Sequence, residues 1–125
     1  MSADLEIQKA IFARLSSMSV PVYDDVPDNA PPPYVVIGDD TLLEFDSDGI
    51  SGFEATTTIH TWSTYRGRKE VKELQGEIYT LLHRAELAVV GYTFVSCDSE
   101  FSESILDADG VTRHGIQRFR ILIRE

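Results

Sequence analysis

Only one cysteine, Cys97, stands in the whole chain. That excludes a disulfide within the chain and a zinc site built on cysteines. Long apolar runs are also missing, and no stretch reaches the roughly eighteen residues that a membrane-spanning helix needs. The opening residues, MSADLEIQKAIF, show no basic segment leading into an apolar one, so a secretory signal is not expected and assembly in the cytosol is. Basic side chains are scarce, 11 against 21 acidic ones, for a net charge of -10. General nucleic-acid binding is therefore disfavoured, because it depends on Lys and Arg clustered against phosphates. The scarcity is uneven. Residues 1–65 hold 11 acidic and 2 basic groups, whereas residues 66–125 hold 10 and 9. Such acidity reads either as a solvated surface or as a surface that repels DNA or mates with a basic partner.

Catalytic and ligand-binding signatures are missing as well. Asp107-Ala108-Asp109-Gly110 begins like a calcium loop, but the twelfth position, which should carry a bidentate Glu, is Arg118. Counted from Asp46, that position is Thr57. Both segments read as turns. His60, His83 and His114 are scattered, with no two at ligand spacing. Gly49-Ile50-Ser51-Gly52 does not match a nucleophile elbow, and no glycine-rich phosphate loop is present. Cys97 reads as a packed thiol. Neither an enzyme activity, a bound metal nor a cofactor is expected.

Apolar residues make up 42% of the 125, enough for the core of one domain over residues 1–125. Ile7, Ala10, Ile11, Leu15 and Met18 fall at helical spacing over residues 3–18, behind Ser2 as N-cap. Five prolines between Pro21 and Pro33 mark a connector, with Val20–Tyr23 as a short edge strand. A strand is expected over 34–45, with a bulge or kink at Gly38-Asp39-Asp40, and a second over 53–64, where Phe53, Ala55, Thr57, Ile59 and Thr61 share a face. Trp62, at the end of that strand, is either core or an interface anchor. Val71, Leu74, Ile78, Leu81, Leu82 and Ala85 stripe a helix over 67–85 that Ser63 or Thr64 would cap. Strands over 92–101 and 113–124 follow. Tyr92, Phe94 and Ser96 are expected opposite Thr93, Val95 and Cys97, and Phe119, Ile121 and Ile123 opposite Arg118, Arg120, Leu122 and Arg124. Residues 39–52 or 102–111 are expected to form mobile loops. The order α-β-β-α-β-β predicts an α+β fold: an antiparallel sheet of about four strands with two helices on one face.

A further likeness rests on the order of these segments. Pro32-Pro33-Tyr34-Val35-Val36 leads into the first long strand, and His60-Thr61-Trp62-Ser63 leads into a charged helix. Asp109-Gly110-Val111-Thr112-Arg113-His114-Gly115 then enters the closing strand Ile116-Gln117-Arg118-Phe119-Arg120-Ile121. In this order the chain resembles the tail-completion, or tail-terminator, proteins of siphophages and gene transfer agents. The resemblance implies a non-enzymatic virion protein at the head-proximal end of the tail. It also implies a homo-oligomer, a hexameric ring, seated on the tail tube protein and facing a head-completion protein. DNA would transit its channel without specific binding, with no cofactor and no membrane. On that reading Asp24, Asp25, Asp28, Asp39, Asp40, Glu44, Asp46 and Asp48 are candidates for the channel wall, or else face outer solvent. Arg118, Arg120, Arg124 and Trp62 are candidates for subunit or ring contacts. Two competing readings are another neck component, such as a head-closure protein, and a small ligand-binding or regulatory α+β domain.

Overall fold

The computed structural model describes residues 2–125. Helix α1 (Ala3–Leu15) starts where Ser2 Oγ accepts from the Leu5 amide at 3.2 Å, with Asp4 and Glu6 in the first turn. It stops three residues short of the expected end. The Ser16 hydroxyl donates to the Ala13 carbonyl at 2.6 Å and the Ser16 amide tightens onto the same oxygen. Strand β1 (Val22–Tyr23) follows, then β2 (Tyr34–Glu44) and β3 (Gly52–Ser63). Helix α2 (Lys69–Leu82) leads to β4 (Thr93–Leu106) and β5 (Arg113–Arg124).

The five strands lie in the order β1-β2-β3-β5-β4. Every pairing is antiparallel except β1 with β2. β2–β3 and β4–β5 are hairpins, and α2 carries the chain over β5 so that β4 becomes the outer strand. The expected α+β fold is observed, with the short proline-bounded β1 as a fifth strand. No helix is long and apolar enough to cross a membrane among the described residues.

Strand alternation decides which side is closed. Ala55, Ile59, Phe119, Ile121 and Ile123 meet Ile7, Ile11 and Leu15 of α1 and Ile78 and Leu82 of α2 in one buried cluster. Leu87 and Val89, from the connection after α2, complete it. One polar clamp fixes α2 over β5. Gln75 Nε2 donates to the Glu103 carbonyl at 2.8 Å, and Gln117 Nε2 donates to the Gln75 carbonyl at 3.0 Å. Gly115 makes room for it, since a Cβ there would stand 2.6 Å from Gln75 Nε2 and 3.0 Å from Val71 Cγ2.

Several local expectations are corrected. β2 runs to Glu44 through a bulge between Ile37 and Asp40, where one was expected, but β4 continues past residue 101 to Leu106. The irregular stretches thus shrink to the turns at 45–51 and 107–112, because long hairpins keep pairing through polar residues that read as loop. A bulge between Phe94 and Ser96 moves Phe94 and Cys97 to the helix side and Ser96 opposite Leu122, which breaks the simple alternation expected for 92–97. Neither Ser63 nor Thr64 caps α2. Its N-cap is Arg68, with no side-chain bond, while the Ser63 hydroxyl donates to Glu70 at 2.6 Å.

Candidate functional site

The side of the sheet away from the helices is uncovered, and its residues form rows across the strands. In one row Tyr34, Trp62, His114 and Ile105 are successive cross-strand neighbours. The Trp62 and His114 rings stack at 3.7 Å between centroids and 10° between planes. His60 joins them, with its Nδ1 2.7 Å from His114 Nε2. Gly38 allows this, since a Cβ there would stand 2.5 Å from His60 Cδ2. Two imidazoles in this contact require one ring to donate and the other to accept, so at least one of them is neutral. Burial lowers the pKa of His60, with Asp39 acting in the opposite direction. Burial lowers that of His114 as well, helped by the charge of His60 and opposed by Asp107 and Glu103. Sequence spacing missed this pair because 54 residues separate its members. The available signal was the stack of aromatics on the same strand face.

The next rows hold the arginines. Arg118, Arg120 and Arg124 lie on the open side, as their alternation requires. They do not form a basic stripe. Arg118 lies over the Phe101 ring, 5.1 Å from its centroid, and Arg120 Nε donates to Glu54. Arg118 also borders a polar cleft of about 300 Å³ with Asp39, Asp40, Thr41, Thr56, Thr58 and Glu100. Trp62 is half-buried here, part of the stack and not of the core.

The eight candidate acids are all exposed and fall in three places. Asp24, Asp25 and Asp28 lie in the connector, Asp39, Asp40 and Glu44 on β2, and Asp46 and Asp48 in the turn after it. Their sequence proximity does not gather them into one patch.

Other singled-out residues serve the fold. The Asp109 carboxylate accepts from the amides of Val111 and Thr112, both at 2.8 Å, and from the Thr112 hydroxyl, which lowers its pKa and pins the 107–112 turn. Burial pushes the Cys97 thiol up to about 12, the opposite of an activated nucleophile. His83 Nδ1 accepts from the Ser99 amide at 3.0 Å. Lys69 reaches Glu73 at 3.9 Å, whereas Glu77 holds the amide and hydroxyl of Ser19. No three His, Cys, Asp or Glu side chains are grouped to hold a metal ion among the described residues. A groove of about 490 Å³ between α2 and β4 is lined by Lys72, Gln75, Tyr79, Glu103, serines and Gln117. What the surface offers is contact: aromatic rows, paired charges and exposed apolar residues at the sheet ends, including Leu43, Phe45, Ile50, Tyr65, Leu106 and Val111.

Known proteins share this fold. A chain in the virion of a native gene transfer agent particle superposes with a TM-score of 0.90, covering 99% of this chain and 98% of that one, at 17% identity, a likeness of fold. The structure of the gp17 protein of bacteriophage SPP1 superposes with a TM-score of 0.63 at 30% identity, over 95% of this chain and 89% of that one. In sequence, the tail completion protein gp17 of Bacillus phage SPP1 is 34% identical over 93 residues, which is 74% of this chain and 69% of the relative. The tail completion protein gp17 family matches residues 9–124. With that match over nearly the whole chain, the protein belongs to the tail completion protein gp17 family, a structural component of the virion tail and not an enzyme.

Proposed function

We propose that the chain assembles as a hexameric ring that ends the tail tube at its head-proximal end and joins it to the neck, with DNA passing through the channel. The observation that carries this reading is the 34% identity to the tail completion protein gp17 of Bacillus phage SPP1. The uncovered side of the sheet supports it. Arg118, Arg120, Arg124 and half-buried Trp62 share that side, where a neighbouring subunit or ring gains contact with an aromatic and guanidinium-rich surface. The partners on this reading are further copies of the chain, the tail tube protein and a head-completion protein.

Charge supports a slippery channel. A basic wall would gain counterion-release free energy at each phosphate and hold the duplex back. An acidic wall repels DNA weakly, over a screening distance of about 8–10 Å. Asp24, Asp25, Asp28, Asp39 and Asp40 are exposed and form no salt bridge among the described residues, which suits that wall. Glu44, Asp46 and Asp48 have a second suitable position, at the end of the sheet.

Electron microscopy of tail tubes grown from the tube protein, with and without this chain, tests the reading. Tubes should end in a ring of this protein at one extremity and stop lengthening there. Tubes that grow on unchanged, with the chain left free and monomeric, would refute it.

A further inference from the structure

The β2–β3 turn and the segment between β3 and α2, at opposite ends of β3, carry unpaired charges of opposite sign. At the β2–β3 turn, Glu44, Asp46 and Asp48 surround exposed Leu43, Phe45 and Ile50. Phe45, Ile50, Val95 and Leu122 line a mainly apolar cleft of about 160 Å³ there, rimmed by Asp48 and Arg124. At the other end, the segment between β3 and α2 presents Arg66, Arg68 and Lys69, all exposed, beside Tyr65, which is 52% exposed. Arg66 and Arg68 have no side-chain partner among the described residues, and neither do Glu44, Asp46 and Asp48. Between Arg14 and Arg66 the sequence holds no Lys or Arg at all. The acidic turn therefore has no nearby cation in sequence.

These ends cannot meet within one copy. β3 runs from one to the other over 12 residues, a span of about 40 Å at ~3.3 Å per residue. We infer that they meet between copies: the 44–51 turn of one subunit seats on the 64–69 segment of the next. Glu44, Asp46 and Asp48 then face Arg66, Arg68 and Lys69, and Tyr65 enters the apolar cleft. The occupant is a second copy of this chain, because one sequence supplies both complementary halves. The two surfaces are unlike, so the contact is head-to-tail, the kind that closes into a ring when its rotation allows. Phe45, Ile50 and Tyr65 lose their exposure in it, and the charges set register and association rate. This rests on the ring reading above and names the surfaces that would build the ring.

Charge reversal tests it. The two half-variants are R66E/R68E and D46K/D48K, scored by light scattering for free protein and by electron microscopy for rings at tube ends. Each has two ends of like sign and should lose self-assembly by about tenfold or more. Mixed in equal amounts, the two should assemble again in alternation, and the fourfold variant R66E/R68E/D46K/D48K should assemble alone. General misfolding cannot produce that rescue. Half-variants that form rings like the wild type would overturn this contact while leaving the ring reading intact, and so would a mixture that fails to recover. A wild-type chain that forms no ring free or on tubes would end both.

Discussion

Alternate residues of β5 meet two different environments. Gly115, Gln117, Phe119, Ile121 and Ile123 are buried under the helices. His114, Ile116, Arg118, Arg120, Leu122 and Arg124, on the other side, are half-buried or exposed. The covered side is closed by the chain's own helices, and the apolar area it removes from water is the main source of stability. The open side is held by separate pairs: a Trp–His stack, an Arg over a Phe, one Arg–Glu bond. Each is worth little where water still reaches it. A face assembled this way can exchange its contacts for those of a partner without endangering the fold.

Truncation should separate the two sides most sharply. Phe119 is fully buried, and Phe119→Ala should cost about 3–5 kcal/mol through lost burial and the cavity left behind. Leu43→Ala, at a residue 61% exposed, should stay within about 0.5 kcal/mol in the isolated chain. Urea unfolding of both variants checks this, and equal costs would mean that the open side is also core.

Two glycines sharpen the comparison on the covered side. Gly115→Ala pushes a methyl into the Gln75 amide and Val71, and should destabilise by about 1–3 kcal/mol. Gly76, in the middle of α2, has open space around the position of a Cβ, so Gly76→Ala should stabilise by about 0.5–1 kcal/mol. Thermal denaturation should show midpoint shifts of opposite sign.

The smallest effect belongs to the open side and appears only with pH. His60 and His114 both titrate below the ordinary 6.5 in the folded chain, so the unfolded chain takes up protons first. Their contribution is therefore full above pH 6.5, is lost as the pH falls below that value, and changes no further once the folded-state values are passed. Asp109, lowered from 3.8, adds a separate loss only in stronger acid. Denaturation midpoints from about pH 8 to about pH 5 should decline in the wild type. The decline should shrink in His60→Gln/His114→Phe, which keeps a ring on Trp62 but removes both titrations. An undiminished decline in the double variant would place the dependence elsewhere.

Much of this was legible in advance wherever neighbours in sequence are also neighbours in space. Ile7, Ile11 and Leu15 mark a helix face because α-helical geometry returns every three to four residues to one side. Phe119, Ile121 and Ile123 mark a strand face for the analogous two-residue reason. The bulge in β2 fell where Gly38-Asp39-Asp40 suggested one, but the bulge in β4 escaped that logic. The extra residue near Val95 reverses the facing of the residues after it, and nothing in Phe94-Val95-Ser96 announces it. The histidine pair escaped for another reason. Its partners come from β3 and β5, adjacent only because β5 inserts between β3 and β4.

By itself, then, the sequence determined the two helices and the four long strands, the buried stripes of α1, α2, β3 and β5, the Ser2 cap, the Asp109 turn and the facing of the three arginines, all consequences of local geometry. The tertiary structure alone decided three further features. One was the packing of His60 over Gly38 and against His114. Another was the clamp of Gln75 on Gly115. The third was the separation of the acidic turn from the basic start of α2, at opposite ends of one strand. Each depends on which strands become neighbours, and strand order is set by long-range pairing that no short window of residues encodes.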